Sequence, residues 1–138
     1  MAFREKLAWM MSGIMALTGA YYMWLVSAIP ADAPPLGQLG ALAPYALVLV
    51  VVSIVANIAL ALLSPKEANQ PADERERAVI DRAGHWSGYV LAVIVVVGGG
   101  LYLGHGNGNT LFVWVAGGLI AAQLAEYLFQ ILLFRRGA

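Results

Sequence analysis

Four apolar runs separated by short connections constrain this chain more than any other feature. About 20 residues at 1.5 Å rise cross the hydrocarbon of a bilayer. The runs cover 7–29, 43–64, 85–103 and 111–134, and across all four Glu126 is the sole charged side chain. Backbone groups in lipid must be bonded within their own segment, which selects helices. The alternating polarity of a membrane β-strand is absent, even from the Val-rich third run. The expected fold is therefore all-α: an integral membrane four-helix bundle, one domain over 1–138. Composition agrees, with 61% of residues hydrophobic and 12% charged, against about 45–50% and about 25% in soluble domains.

The first run follows Arg4 and Lys6 and ends near Val26-Ser27-Ala28, which gives it the outline of a signal peptide. It exceeds the usual apolar core of about 7–15 residues, so it reads as a retained span. The cations set the orientation. All eight lie in three places: Arg4 and Lys6; Lys66, Arg75, Arg77 and Arg82; Arg135 and Arg136. The connections at 30–42 and 104–110 have none. The positive-inside rule then predicts N-in/C-in topology, with the 65–84 linker cytoplasmic, in a bacterial inner membrane. Trp9, Tyr21, Tyr22, Trp24, Trp86 and Trp114 fall near run ends, as interfacial belts do.

Several function classes lose support. Formal net charge is zero, so no basic field exists for direct nucleic-acid binding. The absence of cysteine removes disulfides, thiolate metal sites and thiol nucleophiles. No Walker or dinucleotide glycine pattern occurs. Intramembrane hydrolysis needs paired acids, a serine with a base, or a metal triad; the runs hold one carboxylate, and His85 and His105 bracket the third. No catalytic residue, metal or cofactor is expected.

The connections carry their own signals. Residues 30–42 read as a Pro- and Gly-rich outer loop. GHGNGNT, 104–110, reads as a tight outer turn with Thr110 as N-cap. Ser64-Pro65 ends the second helix. Asp73 and Glu76 have capping-box spacing, Asp73/Arg77 and Glu74/Arg77 are candidate helical pairs, and His85 stands four residues from Asp81. A cytoplasmic helix from Asp73, running into the third span, would present Glu74, Arg75, Glu76, Arg77, Asp81 and Arg82, with Arg135 and Arg136 nearby. That surface is either a solvated face or a docking face for a cytoplasmic partner.

Small residues mark helix contacts in lipid. Ser12/Ala16/Ala20, Gly88/Ala92 with Gly98, Gly99, Gly100 and Gly104, and Gly117/Ala121/Ala125 with Gly118 and Ala122 beside them are the candidate stripes, sufficient for a bundle and for a homodimer.

The polar cluster is the candidate site. Gln123, Glu126 and Gln130 follow i, i+3, i+7 and share a helix face, with Tyr127 adjoining. Glu126 is about 12 Å in from the end of its run. Asn57 comes to a similar depth on the second run and is its expected partner. A charged carboxylate there costs about 2.5–3.5 kcal/mol, and desolvation favours the protonated form. Two accounts follow: a protonated Glu126 fastening helices, or a proton- or cation-coupled transport site. Contact with another membrane subunit is a third.

FREKLAWM at 3–10, SPKEANQPADERERAVIDRAG at 64–84 and QILLFRRGA at 130–138 resemble a family of small four-span bacterial membrane proteins of unknown function. The resemblance covers nearly the whole chain. Members commonly carry a basic residue about four past the fourth-helix Glu, where this chain has Phe129 and Gln130, and an Arg where it has His85. Such proteins are similar to ones encoded beside helix-turn-helix regulators. The resemblance names no activity and implies a membrane-bound partner for such a regulator; with no catalytic set in the runs, the expected function is a non-enzymatic regulatory or accessory protein whose partners, besides the bilayer, are a cytoplasmic regulator or a membrane complex.

Overall fold

The computed structural model describes residues 3–30 and 32–137. Ala31 of the expected outer loop and Ala138 of the terminal motif lie outside them. The described residues form five helices in the order α1 (Phe3–Ser27), α2 (Pro35–Leu63), α3 (Pro65–Ala68), α4 (Glu74–His105) and α5 (Gly108–Arg136), with no strand among them. Three of these, α2, α4 and α5, are long and apolar enough to cross a membrane. By length and composition they fit a multi-pass membrane protein.

The expected first span forms α1, which is long enough but has no stretch apolar enough to join those three. It packs against both α2 and α5. Its buried side includes Ser12, Thr18 and Tyr22, so much of its polarity faces protein. The hydroxyls of Ser12 and Thr18 donate back to the Trp9 and Ile14 carbonyls, at 2.8 and 2.7 Å. Back-bonding of this kind satisfies a hydroxyl without water. At 25 residues, α1 is about 37 Å long, enough to cross the hydrocarbon.

The ends are set by local chemistry. Pro35 opens α2, where a missing N–H costs nothing, so the helix starts earlier than expected and the 30–42 loop shrinks to about its first third. Asp73 and Glu76 close the capping box: Asp73 Oδ1 accepts from the Glu76 amide at 2.7 Å, and Glu76 Oε2 from the Asp73 amide at 3.3 Å. From there α4 runs unbroken for 32 residues. That is about 48 Å, roughly 18 Å more than a hydrocarbon core needs. Gly106, in the left-handed region at φ 67°, stops it. Asn107 then caps α5, accepting from the Asn109 and Thr110 amides. Thr110 is thus held by the cap instead of serving as one, because Asn107 reaches the free amides first.

The four long helices make a row, α2 on α1, α1 on α5, α5 on α4, with a lighter α2–α5 contact. Close approach occurs at particular glycines. A Cβ on Gly98 would stand 2.9 Å from Trp114 Cβ, and one on Gly118 would stand 2.8 Å from Ile94 Cγ2. Gly19 similarly meets Ile120 Cγ2 at 3.0 Å. The expected stripes are corrected accordingly. Gly88, Gly99, Gly100, Gly104 and Gly117 face open space, and Ala16, Ala20 and Ala92 are exposed. The seam of α1 is Ala8, Met11, Met15, Thr18 and Tyr22. Tyr22 is fully buried and meets Tyr45 of α2 edge-on, with ring centroids 5.3 Å apart.

Each end of the row is tied. At the basic end Lys6 pairs with Glu67 at 2.9 Å, Arg135 lies over the Trp9 ring at 5.1 Å, and the Arg75 guanidinium approaches Gly137. At the opposite end the Asn109 amide donates to the Ala33 carbonyl at 2.7 Å, joining the two uncationic connections.

Candidate functional site

The polar face of α5 forms as the spacing requires. Glu126 Oε2 accepts from Gln123 Nε2 at 3.2 Å and Oε1 from Gln130 Nε2 at 3.3 Å. Both bonds are longer than the about 2.7–2.9 Å of charge-assisted contacts. A carboxylate has about four lone-pair sites, so two amides leave room for another donor. Burial is graded along the face: Gln123 is exposed, Glu126 and Tyr127 are partly exposed, and Gln130 is 7% exposed.

Asn57 is not the partner of Glu126. Its amide donates to the Ser53 carbonyl at 2.7 Å and toward Met11 Sδ at 3.7 Å. The cause is packing: α2 lies chiefly on α1 and only lightly on α5. The glutamines of its own helix therefore supply the contacts that a neighbouring helix was expected to supply.

What the residue pattern did not reveal is a crevice between α2 and α5. It is an open groove of about 300 Å³, walled by Leu42, Tyr45 and Leu49 on one side and Phe112, Leu119 and Gln123 on the other, with Met15 of α1 also lining it. Gln123, at its margin, leads by its hydrogen bond to Glu126, one turn nearer the basic end. Asn57 meets Met11, one turn before Met15. An apolar cleft thus gives way to a carboxyl and amides. Met11 and Met15, spaced i, i+4 on α1, are the sequence signal for it, since adaptable Met side chains fill irregular gaps.

The basic end is a second, separate surface. Glu74, Arg75, Arg77, Asp81 and Arg82 are exposed on α4, Glu76 is partly buried in the capping box, and Arg135 and Arg136 are exposed at the end of α5. Val79 and Ala83 on the other side of α4 pack on Leu133, and Trp86 meets Phe129 edge-on at 5.5 Å. Among the described residues Arg77 forms an ion pair with neither Asp73 nor Glu74, since the cap occupies Asp73. His85 turns away from Asp81 and bonds the Tyr89 hydroxyl at 3.0 Å. His85 and His105 stand 20 residues apart on α4, about 30 Å at helical rise, and among the described residues no three His, Asp or Glu side chains gather as a metal set.

Comparison with protein-family models, curated proteins and solved structures finds no match to this chain. The resemblance carried by the 3–10, 64–84 and 130–138 motifs stands on those motifs alone.

Proposed function

We propose that the protein is a non-enzymatic accessory or regulatory subunit of a bacterial inner membrane. It would have four spans, with both termini and the 65–84 linker in the cytoplasm. The observation that supports this best is α4. Its first turns are a rigid extension of a membrane helix, clamped to α5 by Val79, Ala83 and Leu133, and they turn Arg77, Asp81 and Arg82 outward. Such a surface suits a soluble cytoplasmic partner, and rim charges of this kind set association rate and selectivity. Arg77→Glu with Arg82→Glu is the test, leaving Arg75 at its contact with α5. A soluble protein that copurifies with the native chain should be lost from the double variant. An unchanged set of copurifying proteins would remove the proposal.

A second reading is supported by the partial exposure of Glu126. A partly exposed carboxyl can exchange a proton or a cation, and intramembrane carboxylates commonly serve in this way. Proton flux in liposomes that is abolished by Glu126→Gln would favour transport. Absent flux, or flux indifferent to that change, would remove it.

A further inference from the structure

We propose that the pocket at the uncationic end, between α1, α2 and α5, holds the headgroup of a phosphatidylethanolamine, its ammonium donating to Gln38. The inference asks for binding alone, so it stands apart from both the cytoplasmic partner and any flux. The pocket holds about 220 Å³ and is walled by Val26 of α1, Ile29 just past it, Gln38 of α2, and Val113 and Trp114 of α5. That is below the about 300–1,000 Å³ of pockets for drug-sized ligands, a size for a headgroup and not for a whole lipid. Gln38 is the feature that asks for a ligand. It stands in the first turn of α2, is 4% exposed, and its Oε1 is buried with no hydrogen-bond partner. Buried polar atoms are nearly always paired, and an unpaired acceptor bears its full desolvation cost. Gln38 is itself part of the wall, so the unanswered amide and the space belong to one site.

Charge and place select the occupant. Residues 26–42 and 104–114 contain Asp32 and no Lys or Arg, so this end favours a cation. Asp32 adjoins Ala33, whose carbonyl accepts from the side chain of Asn109 in the pocket wall at 2.7 Å. The exposed Trp114 adds a ring whose face attracts positive charge, and it belongs to the belt that sits at headgroup level. A primary ammonium supplies both the N–H that Gln38 lacks and the charge that this end lacks. Val26, Ile29 and Val113 are apolar neighbours for the lipid carbons that follow it. Phosphatidylcholine carries the charge without an N–H. Phosphatidylglycerol carries O–H donors with a net negative charge. A second copy of this chain has every Lys and Arg at its basic end. Water would pair the oxygen and prefer no lipid over another.

Native mass spectrometry of the delipidated chain in detergent counts bound lipids, with dioleoyl forms of all three headgroups as probes. Phosphatidylethanolamine should bind at least tenfold tighter than phosphatidylcholine or phosphatidylglycerol. Gln38→Leu keeps the bulk and removes the acceptor, and should bring phosphatidylethanolamine down to the phosphatidylcholine level. Gln38→Glu keeps an acceptor oxygen and should retain the preference. Val113→Trp keeps Gln38 and fills the pocket, and should abolish the preference. Free ethanolamine at the lipid's own concentration should leave the lipid in place. Circular dichroism and a single gel-filtration peak establish that each variant is folded. The proposal is overturned by equal binding of the three lipids, as water at Gln38 would give. A preference that survives folded Gln38→Leu or Val113→Trp, or is lost in folded Gln38→Glu, also overturns it. Displacement by ethanolamine does so too, since the site would then be one for a soluble amine.

Discussion

Gly98 has no room for a side chain. Its Cβ would meet Trp114 Cβ at 2.9 Å, and a Cβ atom cannot swing aside as a side-chain tip can. Gly98→Ala should therefore force α4 and α5 apart, at a cost of about 1–3 kcal/mol, as overpacking does. Gly88→Ala on the same helix meets nothing within 4 Å and should leave stability level or raise it by up to about 1 kcal/mol. Thermal or denaturant unfolding in detergent compares the two; equal losses would contradict the glycine assignment. The Lys6–Glu67 pair, with both side chains substantially exposed, belongs among weak contacts worth about 0–1 kcal/mol and reduced by salt. Lys6→Gln should consequently shift unfolding far less than Gly98→Ala. Glu126 was legible at this scale as the one charge in the runs, and so were its companions Gln123 and Gln130 from their spacing. Its distance from Asn57 was not, because depth along two helices says nothing of whether those helices touch.

At the scale of elements, α4 links membrane and linker. Its N-terminus rests on the Asp73–Glu76 box, which the sequence spacing revealed because a cap is a local event. Asp73→Ala should cost about 0.5–2 kcal/mol of helix stability, seen as faster amide exchange over the first turns of α4 with the later turns unchanged. Exchange rates unaltered there would mean that packing on Leu133 alone holds the segment. Arg75 has a different part: its guanidinium lies beside Gly137 at the C-terminus of α5, where helix carbonyls favour a cation. No local pattern could disclose that, since the two residues meet only through the α4–α5 hairpin. The start of α2 at Pro35 was also missed, because a Pro- and Gly-rich stretch reads as loop unless the prolines fall in a first helical turn, where they are at home.

At the scale of the whole molecule, the chain gathers its cations at one end of a row of helices and none at the other. Periodicity and charge made that arrangement legible; the order of the row was not, because it depends on which glycines find a neighbour. We propose that α1 crosses the membrane along with α2, α4 and α5. Ser12, Thr18 and Tyr22 are buried on its packed side, so its lower apolarity is no bar to spanning. The chain has no cysteine, so single cysteines can report topology without interference. Phe3→Cys, Asp32→Cys, Gln70→Cys and His105→Cys should be treated in intact cells with a membrane-impermeant maleimide. Four spans predict labelling at positions 32 and 105, with positions 3 and 70 reacting only after permeabilisation. Labelling of position 3 in intact cells would place the start of α1 outside and contradict the four-span account.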